Sequence, residues 1–248
     1  MVQQWTLDAD MGHGFVVPFV AVWAAWRGRA GWLGRPPRPT WWGLVPVILA
    51  GMLLHLSMIG GGLFLASVAF VIALAGIVLT VGGVPWLKGL SFPLLLPLFM
   101  LPKLAFVYDE VTLPLQLLAS RLAELALSAV GVHVVRDGNI LTLGSVQMSV
   151  AEACNGVRYL LSLGFLAVMY GWYFNAPVWM RWVLLAASVP VSILANAGRV
   201  AAAGLCGLVN PAWIEGFFHG FSGWLVFVFS LAALAGVHWL LKRMVRHG

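Results

Sequence analysis

The sequence predicts an all-α integral membrane helical bundle with about seven transmembrane helices, a small outer β-hairpin and an amphipathic surface helix. The first reason is composition: 62% of the 248 residues are hydrophobic and 9% are charged, whereas roughly a quarter of a soluble domain is charged. The second is that the apolar residues form runs close to the length that crosses a bilayer. The third is that Lys and Arg cluster between those runs. The whole chain, 1–248, is therefore predicted to be a single polytopic membrane domain.

Seven apolar segments are predicted to span the membrane. They are residues 14–26, 41–59, 61–81, 90–107, 155–174, 183–206 and 217–241. A spanning helix needs about 20 mostly apolar residues, so the first segment is the least complete. The prolines of SFPLLLPLFMLPK predict a kink in the fourth segment.

Basic loops predict the orientation of these spans. The loop RGRAGWLGRPPR (27–38) holds four arginines and is expected in the cytoplasm by the positive-inside rule. Alternating spans then bring Lys88, Arg181 and the terminal LKRMVRHG to the same side. Topology and anionic lipid explain the net charge of +6. The sequence shows no nucleic-acid-binding motif, and no nucleic-acid partner is expected.

The longest segment between spans, 108–153, is predicted on the outer face. In VTLPLQLLASRLAELALSAVG, leucines recur at three- and four-residue steps, as in an amphipathic helix lying on the membrane surface. They are Leu115, Leu118, Leu122 and Leu125. In VHVVRDGNILTLGSVQMSVAEAC, apolar residues alternate around RDGN, and the Asp-Gly pair predicts a β-hairpin.

The segment SVAEACNGVRYLLSLGF places four reactive or polar side chains at the outer end of the fifth span: Glu152, Cys154, Asn155 and Arg158. Cys154 and Arg158 are one helical turn apart and can share a face. The positive potential of a helix N-terminus and the nearby guanidinium both favour the thiolate form of Cys154. Cys154 is therefore the predicted nucleophile, and the other three are predicted supporting residues.

Two further polar groups are expected at a similar depth on the next two spans. Arg199 and the supporting residue Asn196 are three residues apart on one face of the sixth span, and Arg199 is expected about 10 Å below its outer end. A charge within a span costs at least about 2.5 kcal/mol and usually faces the bundle interior or a polar cavity. His219 falls in the first turn of the seventh span, where Gly223 permits close helix approach. Residues 154–241 are thus the predicted catalytic helices.

Together these groups predict acyl transfer on a peptide bond at the outer membrane surface. His219 would take the thiol proton of Cys154 and return it to the leaving amine. Arg199 would stabilise the oxyanion of the tetrahedral intermediate. Two cysteines are too few for a thiolate zinc site, and neither a metal nor a cofactor is predicted.

Each of these residues also has a structural interpretation. A lone cysteine such as Cys154 is more often a packing residue. Arg158 can snorkel to the interface, and Glu152 can be a helix-start charge. A disulfide between Cys154 and Cys206 would remove the nucleophile, although the small residues around Cys206 favour helix packing.

Two other classes of function stay open. In a membrane transporter or channel, Arg199 and His219 would bind an anion or relay protons. Against this interpretation, the sequence lacks the inverted repeats of many transporters. In a non-catalytic scaffold for envelope assembly, the same polar residues would only tie helices together.

Three motifs carry a resemblance to a known family. EACNGVR, NAGR and HGFSG, which contain Cys154, Arg199 and His219, occur in this order on three predicted spans. GHGFVVPFVAVWAAWRGR near the N-terminus accompanies them. On these motifs the chain resembles the exosortase/archaeosortase family across residues 12–240.

The resemblance implies a bacterial cysteine peptidase and transpeptidase with Cys154 as nucleophile, Arg199 as the essential basic residue and His219 as the third catalytic residue. It implies a place in the inner (cytoplasmic) membrane, with the active site facing the periplasm. Its substrates would be exported proteins with a PEP-CTERM-like C-terminal sorting tail, and the acceptor a membrane lipid or lipid-linked group. Relatives usually carry one more helix before the N-terminal motif and more often have Ser in place of Asn155.

Overall fold

The structure, a computed structural model, describes residues 2–102, 105–150, 156–210, 213 and 217–247. The chain divides into two compact units, Met1–Ala105 and Phe106–Gly248. Helices account for most of each unit, and the second unit also contains a small antiparallel sheet. The predicted combination of a helical protein with a small β element is therefore confirmed.

The first unit contains a helical hairpin. Its α-helices are α1 (Val2–Leu7), α2 (Val16–Arg27), α3 (Arg29–Leu33), α4 (Leu44–Leu56), α5 (Gly62–Gly89) and α6 (Ser91–Leu95). Helices α4 and α5 run antiparallel, since Gly43 before α4 meets Thr80 late in α5, and Gly76 of α5 meets Val47 of α4. A Cβ atom on either glycine would overlap the facing helix, so the missing side chains allow the two backbones to approach closely.

Helix α5 is interrupted near its C-terminal end. Gly83 has a φ of 67°, a left-handed conformation that favours glycine, and a Cβ there would overlap the carbonyl oxygen of Arg38. The backbone N–H of Arg38 donates to the Gly82 carbonyl at 3.1 Å. The loop before α4 therefore satisfies a carbonyl at the point where the regular helical hydrogen bonding is disturbed, as irregular backbone within a membrane requires.

The second unit combines long helices with a three-stranded sheet. Its elements are α7 (Ala105–Ala129), β1 (Val135–Asp137), β2 (Ile140–Leu143), β3 (Val146–Ser149), α8 (Val157–Tyr173), α9 (Val178–Val209) and α10 (Phe217–His247). The strand order is β1-β2-β3, and both pairs are antiparallel. The two-residue turns begin at Gly138 and Gly144, whose φ values of 59° and 57° suit the first position of a type II′ turn. The hairpin predicted at RDGN is confirmed, and Gly144 permits a second hairpin that was not predicted.

Four helical segments of the described chain are long and apolar enough to cross a membrane: Trp41–Gly60, Gly62–Gly89, Val178–Val209 and Gly223–Val245. They correspond to the second, third, sixth and seventh predicted spans. The fourth and fifth predicted spans contain shorter apolar helices, Ser91–Met100 and Tyr159–Tyr173. The first contains the 12-residue α2. The expected count of seven spans is therefore not confirmed.

Proline explains why the fourth predicted span is not one continuous α-helix. The chain passes from the five-residue α6 into a 3-10 helix, Leu96–Met100. Pro93 lies in α6 and Pro97 in the 3-10 segment. Proline has no N–H for the helical hydrogen-bond ladder, and its ring disfavours helical conformation in the residue before it.

Helix α7 confirms the helix expected in the segment 108–153, and it buries the side opposite to most of the leucines. Its buried side chains are Thr112, Gln116, Ala119, Ser120, Ala123 and Leu127. The last of these, with Ala119 and Ala123, forms a core with side chains from the sheet and from α9. Leu118 and Leu125 are exposed. The small and polar side of α7 therefore packs against protein, while exposed leucines remain available to lipid.

Small and polar residues fill part of the helix contacts of the second unit, beside buried apolar side chains such as Leu184 and Leu234, while other large apolar side chains point outward. On α9, Ser188, Ser192 and Gly204 are buried, whereas Leu194 is 61% exposed. On α10, Phe229 is 68% exposed. Membrane helices pack in this way because lipid is as apolar as the exposed side chains. The chain is a multi-pass membrane protein.

Candidate active site

The predicted nucleophile Cys154 and its neighbours Glu152 and Asn155 lie outside the described residues. The residues on either side, Val150 and Gly156, are described, and both are buried. Their contacts constrain where the cysteine segment begins and ends.

On the upstream side, Val150 is bound by Asn139 from the first turn of the sheet. The Val150 N–H donates to the Asn139 carbonyl at 2.8 Å. The side-chain amide of Asn139 donates back to the Val150 carbonyl at 3.2 Å and to Oε1 of Gln116 at 3.3 Å. One asparagine thus ties the end of the sheet, where the cysteine segment begins, to helix α7.

Gln116 belongs to the buried polar face of α7. Gln116 and Thr112 are each 6% exposed, and Ser120 is fully buried. The Ser120 hydroxyl donates to the Gln116 backbone carbonyl at 2.8 Å, and the Gln116 side-chain oxygen accepts from Asn139. Buried polar groups cost free energy unless they are hydrogen-bonded, so this face is suited to holding the polar turn of the sheet.

On the downstream side, Gly156 is constrained by its backbone conformation and by Asn196. It forms the N-cap of α8 with a φ of 83°, in the left-handed region that favours glycine. A Cβ atom here would lie 3.4 Å from Cβ and 3.5 Å from Nδ2 of Asn196. Asn196 is 1% exposed. The cysteine segment therefore leads into α8 directly against the face of α9 that carries Arg199.

Arg199 faces the interior of the helical bundle. It is 5% exposed, and its Cζ lies 5.8 Å from the ring centroid of Tyr159 on α8, within the range of a cation–π interaction. Helix α9 continues to Val209, so Arg199 lies about 15 Å from the helix end rather than about 10 Å. Arg199 is therefore farther from the C-terminal end of its helix than the sequence suggests.

Gly223 on α10 brings a third helix to this point. A Cβ atom on Gly223 would lie 2.9 Å from Oη of Tyr159 and 3.9 Å from Nη2 of Arg199. The close approach expected at Gly223 is therefore present, and we call Tyr159, Arg199 and Gly223 the three-helix junction. His219 lies in α10 one turn before Gly223. Its side chain, like that of Arg158 in α8, is outside the described part of the structure.

Of the seven predicted site residues, the structure describes the side chains of Asn196 and Arg199, and both are buried on one face of α9. The convergence of Cys154, Arg199 and His219 stays a prediction. Tyr159 was not predicted, because a tyrosine near the end of an apolar segment ordinarily serves as an interfacial anchor. Its position one residue after Arg158 in the cysteine motif was the available signal.

The described residues bear on two alternatives to a thiol site. Cys206 on α9 is a free, partly buried thiol, so it is not half of a disulfide with Cys154. Across the described ranges, no three side chains of His, Cys, Asp or Glu form a group able to hold a metal ion. The Cys154–Cys206 disulfide considered from the sequence is thus not present in this structure.

The sequence matches the model of a protein family over most of its length. The family is described as transmembrane exosortase (Exosortase_EpsH), and the match covers residues 5–236. No curated protein and no solved structure matches the chain. The match includes the motifs at Cys154, Arg199 and His219, so the resemblance that they carry is confirmed at the level of the family.

Proposed function

Because the chain belongs to the transmembrane exosortase family, we propose that it is a membrane-embedded cysteine peptidase and transpeptidase that processes the C-terminal sorting tails of exported proteins. The three-helix junction is the observation that carries the proposal. In it, Arg199 is buried within a span and lies within cation–π range of Tyr159 on α8, the helix that follows the cysteine segment. It also lies near Gly223 of α10, the helix that carries His219. A charge in a span is costly to bury, which favours a functional reason for its presence.

Cleavage would begin with the thiol of Cys154. His219 removes the thiol proton, the sulfur attacks the scissile carbonyl carbon, and a C–S bond forms as the carbonyl π electrons move to oxygen. Arg199 stabilises this oxyanion. When the intermediate collapses, the C–N bond breaks and protonated His219 gives its proton to the leaving amine. The exported protein is then held on Cys154 as a thioester, and the tail departs.

An acceptor would resolve the thioester. A hydroxyl or amine of a membrane lipid or lipid-linked group gives its proton to His219 and attacks the thioester carbonyl. The C–S bond breaks, Cys154 leaves as a thiolate, and the proton on His219 restores the thiol. Water in the place of the acceptor would give simple hydrolysis, so the same residues serve a peptidase and a transpeptidase.

The proposed site opens to the periplasmic face of the bacterial inner membrane. Positive charge on the loop 27–38, on Lys88 and at the C-terminus supports a cytoplasmic location for the opposite ends of the helices. The outward apolar side chains of α9 and α10 support entry of a substrate tail helix from the lipid.

Processing of a tail-bearing reporter protein tests this function. Cys154→Ala and Cys154→Ser are expected to abolish tail removal, whereas the matched control Cys206→Ala, which changes the other cysteine, should keep it. Hydroxylamine should cleave the thioester adduct on the wild-type protein, freeing the Cys154 thiol and releasing the reporter with a C-terminal hydroxamate. Unchanged processing by a folded Cys154→Ala variant would contradict the proposal.

A transporter is the second candidate, because a guanidinium buried in a span such as Arg199 also suits an anion pathway. In that case Arg199→Gln abolishes solute flux into vesicles, and Cys154→Ala leaves both the flux and the cell phenotype unchanged. Loss of processing in both variants, without any flux in the wild type, separates the enzyme from the transporter.

A further inference from the structure

Tyr159 is buried at the three-helix junction and has no part in the chemistry described above. It is 5% exposed, and its ring lies within cation–π range of the Arg199 guanidinium, with 5.8 Å between Cζ and the ring centroid. It also stands near the start of α8, in the first turn after the cysteine segment. The residue therefore connects the helix that follows the nucleophile to the buried charge on α9.

Gly223 provides the space in which this contact is made. It lies within the helical part of α10, and its φ is not among the positive values in the chain, so its backbone does not require glycine. A Cβ atom would nevertheless lie 2.9 Å from Oη of Tyr159 and 3.9 Å from Nη2 of Arg199. Glycine at position 223 is thus explained by the Tyr159 hydroxyl, which a Cβ would overlap, whereas the distance to Arg199 is an ordinary contact.

We propose that Tyr159 is a positioning residue that orients the Arg199 guanidinium through the face of its ring. Gly223, which has no side chain, leaves the space on α10 that the Tyr159 hydroxyl needs. The inference rests on the proposed function, in which Arg199 stabilises an oxyanion. It assigns to Tyr159 the orientation of Arg199, and no contact with the substrate.

The physical need for such a residue follows from the nature of arginine. Its side chain carries about 2 kcal/mol of rotamer entropy, and an oxyanion is stabilised well only by donors held in place before the reaction. A tyrosine ring is stiff and buried, and attraction to a cation grows when water is excluded. The ring therefore restricts the guanidinium without neutralising its charge.

Substitutions at position 159 test the role of the ring. Tyr159→Phe keeps the aromatic face and should retain at least about a third of the single-turnover rate of thioester formation, whereas Tyr159→Leu should lose about tenfold. Phenylalanine analogues with one, two and three ring fluorines, placed at 159, should lower the rate stepwise. Fluorine draws electron density from the ring with little change in size, so a packing role would leave this series flat.

Substitutions at Gly223 test whether the space beside Tyr159 is needed for activity. Gly223→Ala should lower the same rate by about tenfold, because its Cβ displaces Tyr159 and with it the guanidinium. Adding Tyr159→Phe should recover part of the loss, since phenylalanine lacks the oxygen that the new Cβ would meet. Gly236→Ala is the matched control on α10, where an added Cβ has nothing within 4 Å, and it should keep the full rate.

The outcomes separate this inference from the proposed function. If Cys154→Ala still processes the reporter, the proposed function fails, whatever rates the variants at position 159 show. If Cys154→Ala is inactive but the fluorinated series is flat, or Tyr159→Leu equals Tyr159→Phe, the inference alone is overturned. An inactive Tyr159→Phe that unfolds at the wild-type temperature in detergent also overturns it, because the hydroxyl and not the ring would then matter.

Discussion

Two glycines shape the candidate site for different physical reasons. Gly156 has a φ of 83°, a conformation that costs other residues roughly 1–2 kcal/mol. Gly223 is helical, and only the space beside it is restricted. The first directs the chain from the cysteine segment into α8 against Asn196, and the second lets Arg199 approach α10. Glycine is therefore needed at position 156 because of its backbone conformation and at position 223 because of the side chain that packs against it.

Gly156→Ala is expected to lower the free energy of unfolding by about 1–2 kcal/mol and to reduce processing of the reporter. The stability loss comes from the left-handed backbone, and the functional loss follows because relief of that strain shifts the start of α8, which packs against Asn196. Thermal unfolding in detergent and the processing assay measure the two effects.

Gly131→Ala is the matched control, because Gly131 has nearly the same φ of 82° but nothing within 4 Å of an added Cβ. It should lose similar stability and keep its processing activity. Equal loss of processing in both variants would show that lower stability alone, and not a shift of the α8 start beside Asn196, impairs the protein.

At the scale of elements, α7 holds the sheet by polar contacts of two kinds. Asn139, itself partly exposed, donates to oxygens of Gln116 and Val150, which are buried. Glu124 of α7 and Arg136 of β1 form an ion pair at 2.7 Å with side chains that are about 30% exposed. The two kinds of contact differ in strength, because water competes more for the ion pair than for the oxygens of buried Gln116 and Val150.

Asn139→Ala should destabilise the protein by about 1–3 kcal/mol, because it removes the donor from oxygens of the buried residues Gln116 and Val150. Processing should also fall, since Val150 precedes the cysteine segment. Gln147→Ala, on an exposed position of β3, is the control and should change the unfolding temperature little. An equal effect of the two changes would contradict a stabilising role for the hydrogen bonds that Asn139 makes to Gln116 and Val150.

The Glu124–Arg136 pair is expected to contribute less than about 1 kcal/mol, as other partly exposed ion pairs do. A double-mutant cycle of Glu124→Gln and Arg136→Gln in detergent measures this coupling, and added salt should weaken it further. A coupling well above that value would mean that the surrounding membrane or the rest of the sheet shields the pair from water.

At the scale of the whole molecule, the length of α8 decides how the second unit is arranged in the bilayer. Its 17 residues span about 25 Å, whereas the hydrocarbon core is about 30 Å thick. Mismatch of this size is accommodated by local thinning of the bilayer or by flanking side chains that reach the interface. Helices α9 and α10 contain full-length candidate spans.

Reporter fusions test whether α8 crosses the membrane. A fusion at Gly138, in the sheet, should report the periplasm, whereas fusions at Asn175, between α8 and α9, and at the C-terminus should both report the cytoplasm. This pattern follows from three crossings after the sheet and from the basic C-terminal residues. If Gly138 and Asn175 report the same side, α8 does not cross, and the predicted orientation of the site is wrong.

Much of the architecture follows from local patterns. Unbroken apolar runs predicted the four long spans, and RDGN predicted the first hairpin, because hydropathy and tight turns depend on neighbouring residues. The shorter helices at residues 91–100 and 159–173 were expected to be full spans. Pro93 and Pro97 divide one of them, and Gly156 sets where the other begins.

By itself, the sequence determined that lipid is the solvent of this chain, that Asn196 and Arg199 share a helix face, and that three motifs identify the family. These are properties of composition, periodicity and short patterns. Only the tertiary structure decided that Tyr159 and Gly223 meet Arg199, and that Asn139 joins Val150 to Gln116. Helical periodicity indicates which side of a helix faces inward, but the partner across the interface depends on how separate helices are placed, which no local pattern encodes.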